Sequence, residues 1–396
     1  MHLITNQDEL DSACGILAEA PYITIDTEFM RERTYWPKLC LLQLARAAGN
    51  WGEEAVFLVD PMADIDLEPV FTLMADTSTL KVFHAARQDI EIFVNLAGVV
   101  PIPIFDTQVA AMVCGYGDQV GYETLVKRIA NAQLDKSSRF TDWARRPLSS
   151  KQLNYAAGDV THLRVVYESL GDQLEKSGRS SWVEAEMAVL RALSTYVVDP
   201  DEAWRRVKTR SNDSRFLAVV KSLAKWREDE ARKRDVPRGR ILKDDAVLEI
   251  AANRPKTREQ LLGSRSLQRE GRKPEVCDAI LAAVVAGEEA PPEQPPHNPR
   301  HHMPPRPGAQ ALSDLLKVLL KAKADKLGVA QRLIASSSEL EDLAQGLRDG
   351  VKALEGWRME AFGQEALRLI NGEIALSAGP SGVEIVELTN GQAADD

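Results

Sequence analysis

Tyr22-Ile23-Thr24-Ile25-Asp26-Thr27-Glu28-Phe29 is the stretch on which the reading of the first domain turns. It is rich in β-branched residues and alternates along its length, so it reads as a strand. Side chains at i and i+2 of a strand share a face, which places Asp26 and Glu28 side by side. Two carboxylates on one face of an otherwise apolar strand repel each other and resist the loss of water. No Lys or Arg lies within four residues before Asp26 or two after Glu28. A hard divalent cation, Mg²⁺ or Mn²⁺, would compensate, since both prefer oxygen ligands. A solvent-facing pair at a strand end accounts for these two residues equally well.

Working outward, Cys40–Leu44 and Ala55–Asp60 read as further strands, and Lys81–Phe83 as a short buried one. A helical pattern runs from Ala85 to Leu96, and Pro101–Phe105 is extended before a helix over Asp106–Cys114. The alternation of the two element types gives a mixed α/β domain with one principal sheet. Asp89 falls in the first turn of a helix, where the helix dipole by itself favours an acid. Ser149-x-x-Gln152 has the form of a capping box. After it Leu153, Ala156, Val160, Leu163, Tyr167, Leu170 and Leu174 mark a core-facing stripe. Tyr155 and Asp159, spaced i, i+4, share a face beside that stripe. The small residues Ala156, Ala157 and Gly158 between them suggest close packing on the sheet; a surface Asp beside a core Tyr is the plainer reading. A helical connection over Trp182–Val198 stops at Asp199-Pro200.

The chain has 396 residues, of which 44% are apolar and 27% charged, as in globular proteins with several cores. No apolar run approaches the ~20 residues of a membrane span. The acidic N-terminus shows no secretory signal. Cys14, Cys40, Cys114 and Cys277 are scattered, with neither metal-ligand spacing nor a disulfide framework. A cytoplasmic location is expected. The net charge of −10 is unevenly distributed: between Trp204 and Glu275 there are 21 Lys/Arg and 11 Asp/Glu, a local +10 that leaves −20 for the remainder. Such asymmetry suggests a polyanionic ligand, or else a solvated basic helical surface. Eight prolines and the histidines His297, His301 and His302 between Gly287 and Gly308 mark an extended linker, more readily than a metal site. The helical units on either side share a faint repeat, Arg240-Ile241-Leu242 with Leu248–Ala251 against Arg332-Leu333-Ile334 with Leu340–Ala344.

Taken in order, Asp-x-Glu on a strand, Asp on a helix and Tyr-x-x-x-Asp on a later helix resemble the DEDD exonucleases that carry a Tyr in the third motif. The wording around these residues narrows the match. Asp26–Phe29 continues through Arg31, Tyr35, Pro37, Leu39 and Gln43. Phe105-Asp106-Thr107-Gln108 follows the second motif. Leu134-Asp135-Lys136-Ser137 leads through Thr141-Asp142-Trp143 and Arg146-Pro147-Leu148 to Tyr155–Val160. This series resembles the ribonuclease D family, and the helical units, with Gly356-Trp357-Arg358, resemble the HRDC domains of that family.

The resemblance implies an α/β ribonuclease H-like 3′→5′ exonuclease domain with a mixed sheet, followed by two small all-α HRDC-like domains. The boundaries expected are 1–200 for the nuclease, 204–287 for the first HRDC domain, 288–308 for the linker, 309–376 for the second HRDC-like domain and 377–396 for a flexible tail. It implies a two-metal exoribonuclease releasing nucleoside 5′-monophosphates, with tRNA precursors bearing 3′ extensions as substrate and no obligate protein partner. Asp26, Glu28 and Asp159 would hold one ion, Asp26 would bridge to a second supported by Asp89, and Tyr155 would orient the attacking water. Its ordinary pKa near ~10 makes it a poor base at neutral pH. Phe29, His84 and Gln88 are candidate contacts to the terminal nucleotide. Arg205, Arg206, Lys208, Lys225, Arg227, Arg232, Lys233 and Arg234 are candidate phosphate contacts, which give salt-sensitive affinity. Deleting everything after about residue 290 is expected to spare the chemistry and weaken RNA binding.

Overall fold

The computed structural model describes residues 2–47, 56–135, 137–294, 306–380 and 382–388. Within them the first domain is built on a six-stranded sheet of β1 (His2–Ile4), β2 (Tyr22–Met30), β3 (Lys38–Arg46), β4 (Val56–Val59), β5 (Leu80–Phe83) and β6 (Ile104–Asp106), in the order β1-β4-β3-β2-β5-β6. β2–β3 and β3–β4 are antiparallel; the other pairs are parallel. The expected strands are all present: β2, β3 and β5 run one or two residues further than expected, whereas β4 stops at Val59, short of Asp60, and β6 takes only the end of Pro101–Phe105 and runs on to Asp106; Ala55 lies outside the described residues. β1 and the helix after it, α1 (Gln7–Ala18), were not foreseen: three residues of strand leave too short a pattern to read.

The helices α2 (Glu68–Ala75), α3 (Arg87–Ala97) and α4 (Thr107–Val113) join α1 around this sheet. Ile23, Ile25, Leu42 and Leu44 pack with Leu10, Leu17, Val70 and Phe93 on one side. Alternation then sends Leu41, Ala45 and Leu58 to the opposite face, where they meet Ala156 and Val160 of α6 (Ser150–Ser177); a four-residue α5 (Tyr122–Leu125) precedes it. The capping box forms as read: Ser149 accepts from the Gln152 backbone N–H, and the Gln152 side chain returns to the Ser149 backbone. Helix α7 (Ser180–Arg191) ends before the expected Val198. Asp199 does not merely stop a helix; it caps a short 3₁₀ segment, Pro200–Arg206.

The basic unit runs through α8 (Ser214–Lys233), α9 (Arg238–Ile241), α10 (Asp244–Asn253), α11 (Arg258–Leu262) and α12 (Pro274–Glu289), around its own core of Leu217, Leu223, Val247, Ile250 and Ile280. The C-terminal unit repeats the order long helix, single turn, medium helix: α13 (Ala309–Leu327), α14 (Gln331–Ile334) and α15 (Ser337–Gln345), then α16 (Gly356–Arg358) and α17 (Gln364–Ile370). The two halves of the faint repeat fall on α9 with α10 and on α14 with α15. The linker histidines and Pro295–Pro305 lie outside the described residues.

One expectation is corrected here. The tail is not wholly irregular, because β7 (Ile374–Gly379) and β8 (Gly382–Glu387) pair as an antiparallel hairpin; residues 389–396 lie outside the described residues. The C-terminal unit shares its core with the nuclease. Its Leu316, Leu319, Leu333 and Phe362 belong to the same continuous core as the nuclease sheet. Trp357 stacks on Trp182 at 4.3 Å, Arg358 pairs with Glu186 at 2.5 Å, and Arg179 donates to the Leu327 carbonyl at 2.7 Å. Cutting the chain near residue 290 would therefore bare an apolar face of the nuclease.

Candidate active site

The strand pairing creates an opening in which the site forms. β2 pairs with β5 only over Tyr22–Thr24, while its pairing with β3 continues to Met30. The half carrying Asp26 and Glu28 thus projects beyond β5, and the chain leaving β5 turns there into α3. This is a crevice at the carboxyl ends of parallel strands, where α/β sheets place their ligands.

Thr24 donates to the Val160 carbonyl at 2.8 Å, which pins α6 against the face that also bears Asp26 and Glu28. Carboxylate oxygens of Asp26, Glu28 and Asp159 come within 4.8 Å of one another. Asp89 approaches from α3, on the other side of the strand, and its carboxylate accepts from the Thr27 hydroxyl. It stands outside the close trio but near enough for its charge to act on Glu28 and to feel that of Asp26. Tyr155 lies one turn before Asp159, its ring 6.0 Å from that of Trp143. Gly158 does not admit the sheet: a Cβ there would meet only Leu134, at 3.8 Å, so its smallness has no steric cause.

Crowded acids in a partly dry crevice hold their protons. Loss of water pushes Asp26 up to about 7. Burial first, and then the charges of Asp26, Asp159 and Asp89, push Glu28 up to about 10. Asp89 and Asp159 are raised for the same reasons, burial leading and Asp26 second. Burial and the nearby carboxylates also raise Tyr155, so its hydroxyl stays protonated. The Oδ2 atom of Asp159 is buried without a hydrogen-bond partner. An unpaired buried carboxylate oxygen is costly, and a divalent cation seated between these acids would satisfy it. The donor set, all oxygen, suits Mg²⁺ or Mn²⁺.

Four further residues belong to this neighbourhood and were not singled out as site residues in the sequence. Tyr122 donates to the Asp159 carbonyl at 2.6 Å and helps fix α6. Thr27 holds Asp89. Gln43 lies directly across from Asp26 in the strand register, fully buried, with neither amide atom bonded. Arg139 lines the cavity of ≈ 260 Å³ shared with Asp26, Tyr155, Asp159 and His84, and its charge favours the ionised forms of Glu28 and Asp159. The signal for Arg139 was its place between Leu134–Ser137 and Thr141–Trp143.

The candidate substrate contacts divide. His84 lines the cavity, its Nδ1 3.0 Å from the Thr107 hydroxyl. Phe29 is half-buried against the core, and Gln88 is exposed. Arg205 pairs with Glu202, Lys225 with Asp201 at 2.7 Å, and Arg234 with Glu230 and Glu270. Arg232 bonds Tyr35 and the Val198 carbonyl. Lys208, Lys233 and Arg206 are exposed. Arg227 does not face solvent at all: it is 1% exposed, bonded to Asp244 at 2.6 Å and to the Leu242 carbonyl at 3.0 Å. Its helical position turns the guanidinium into the core of the basic unit, so it is structural and no phosphate contact.

Comparison with known proteins agrees with this geometry. Residues 1–175 match the 3′-5′ exonuclease family model and residues 216–284 match the HRDC domain model. Ribonuclease D of Jannaschia sp. is 53% identical over 98% of this chain and all of its own length. Ribonuclease D of Granulibacter bethesdensis is 48% identical, covering 98% of this chain and 97% of the relative. The crystal structure of Escherichia coli RNase D, described as an exoribonuclease involved in structured RNA processing, superposes with a TM-score of 0.79. That match is 29% identical and covers 93% of this chain and 98% of that one. With its acids gathered where a 3′-5′ exonuclease domain is matched and its relatives aligned end to end, the chain belongs to the ribonuclease D family.

Proposed function

We propose that this 3′→5′ exoribonuclease removes nucleotides singly from RNA 3′ ends at the Asp26–Glu28–Asp159 crevice, releasing nucleoside 5′-monophosphates. The observation that carries the reading is the convergence of three carboxylates within 4.8 Å, one with a buried, unpartnered oxygen. Asp26, Glu28 and Asp159 would hold a divalent cation, with Asp89 beside them serving a second; either Mg²⁺ or Mn²⁺ suits the all-oxygen set. Bound cations of this kind acidify a water nucleophile and stabilise the leaving oxygen of an in-line displacement.

The chain's own groups supply the rest. Thr27 and Tyr122 fix Asp89 and the Asp159 turn, so the acids are held before substrate arrives. Tyr155, protonated, donates a hydrogen bond to the attacking water and orients it. Arg139 sets a positive charge at the wall of the cavity, where the scissile phosphate would lie. His84 would meet the terminal sugar and Phe29 its base. Residues 309–376 act as a second HRDC-like unit, supported by the matching order of α8–α10 and α13–α15. Precursors of tRNA with 3′ extensions are the expected substrates, in the cytoplasm. No helix among the described residues is long and apolar enough to cross a membrane.

The test is the product and its dependence on the acids. A 5′-labelled RNA incubated with Mg²⁺ should shorten one nucleotide at a time from its 3′ end, faster than a DNA of the same sequence. Asp26→Ala and Asp159→Ala should each lose on the order of 10³-fold in rate, as expected when several kcal/mol of charge stabilisation are removed. Internal cleavage, or activity surviving both substitutions, would overturn the assignment.

A further inference from the structure

We infer that the cleft between the nuclease domain and the first helical unit is a binding track for the RNA strand upstream of the 3′ end. The inference rests on the RNA-degrading reading above and extends it to the path of the substrate. The cleft has a volume of ≈ 800 Å³. Its nuclease wall is the turn after β2, with Arg31, Tyr35 and Trp36, together with Arg87 and Glu91 of α3. Its other wall brings Arg206, Glu228, Arg232 and Arg238 from the segment before α8, from α8 and from α9.

Charge distinguishes this cleft from the body around it. Five arginines face two glutamates, in a chain whose net charge is −10. Arg31 is bound to Glu91 at 2.7 Å, and Arg232 to Tyr35. The guanidinium groups of Arg87, Arg206 and Arg238 form no hydrogen bond or ion pair among the described residues. Unpaired guanidinium groups gathered in an open, concave site favour a polyanion, because their fork of donors matches phosphate oxygens.

An aromatic platform accompanies them. Trp36 is 37% exposed, and it is held rather than loose: the Tyr35 and Trp36 backbone N–H groups each donate to Asp235 at 3.0 Å. A fixed exposed indole among arginines is the pattern of a single-strand groove, where bases stack without regard to sequence.

Position supplies the direction. Arg31 is three residues beyond Glu28 on the chain leaving β2, roughly 10 Å at the rise of a strand. Arg87 is two residues before Asp89. The cleft shares no lining residue with the cavity that holds Asp26 and Asp159, but its wall begins within three residues of Glu28 and two of Asp89, and a strand whose 3′ end sits among the carboxylates would run on between Trp36 and Arg206. The Tyr35–Glu228 hydrogen bond ties the two walls together, which fixes their spacing.

The experiment measures binding of fluorescent single-stranded RNAs of two and about ten nucleotides by anisotropy, in EDTA so that nothing is cut. The longer length is chosen within the roughly 4–16 nucleotides that such grooves span. The unaltered protein should bind the longer RNA more tightly. In the double variant R206E/R238E that gain with length should fall about tenfold or more, and the slope of log affinity against log salt should drop by about 1.4, at ~0.7 per phosphate contact on a single strand. Trp36→Ala should reduce the gain about tenfold with no change in the salt slope. All three positions are at least partly exposed, and the two guanidinium groups are unpaired, so folding should survive; circular dichroism checks it. An unchanged gain with length in both variants would overturn the track. Because binding is read without cleavage, that result is distinct from a failure of the nuclease assignment, which would show as absent mononucleotide release in Mg²⁺.

Discussion

Removing divalent metal should make this protein less stable as pH rises, and the size of the effect follows from the crowded acids. Without a cation, Glu28 is held up to about 10 by burial and the neighbouring carboxylates, and Asp26 up to about 7 by burial. In the unfolded chain both would titrate near their ordinary values, about 4. A folded pKa above the unfolded one means that the native state binds the extra protons. The associated stability is complete below about pH 4 and is lost as pH climbs through the folded values. At pH 7 Glu28 keeps about one proton and Asp26 about half of one, against almost none in the unfolded chain. The difference of about 1.5 protons lowers the unfolding free energy by about 2 kcal/mol per pH unit there, and the raised Asp89 and Asp159 add to it. A bound divalent cation needs the ionised acids, so binding at pH 7 should expel about 1.5 protons or more. Urea denaturation at pH 6, 7 and 8 in EDTA should show stability falling with pH, and Mg²⁺ should abolish or reverse the trend. Calorimetry in two buffers of different ionisation enthalpy should count the protons. A flat EDTA profile together with buffer-independent binding heat would refute the reasoning, because the acids would then be ionised in the empty site.

The other expectations concern single groups. Tyr155→Phe removes one hydroxyl and keeps the ring against Trp143, so kcat should fall roughly 10²-fold, the effect of misplacing a reacting group, with RNA affinity in EDTA unchanged. Gly115 has φ +79°, and a Cβ there would stand 2.4 Å from the Gly328 carbonyl oxygen. Gly115→Ala should therefore cost at least about 2 kcal/mol, combining left-handed strain with a backbone clash, and should loosen the C-terminal unit, read by denaturation and by proteolysis. Arg227→Ala should destabilise the basic unit by about 2–4 kcal/mol through lost packing and hydrogen bonds, while the salt slope of RNA binding stays as it was.

Much of this was legible in one dimension. The alternation of Tyr22–Phe29 fixed a strand, and with it the shared face of Asp26 and Glu28, because a two-residue period needs no tertiary information. The capping box at Ser149 and the stripe from Leu153 to Leu174 did the same for α6 and for the pairing of Tyr155 with Asp159. These are local properties, and the residues that decide them are neighbours in the chain. The charge surplus between Trp204 and Glu275 was equally visible, because a sum does not depend on the fold.

What the chain alone did not show is which distant groups meet and which charges are spent. Arg227 and Arg206 look alike in sequence, yet one is sealed in a core with Asp244 and the other lines an open cleft; only the rotation of α8 and the course of the segment before it decide this. The union of the C-terminal unit with the nuclease core comes from packing between residues more than a hundred positions apart, for which no periodicity exists. Asp159 acquires its unpartnered oxygen, and Glu28 its raised pKa, only when α6 is laid across β2. The sequence determined where the acids stand along their own elements. The tertiary structure decided how near they come, because repulsion and loss of water depend on distances between elements that a local pattern does not contain.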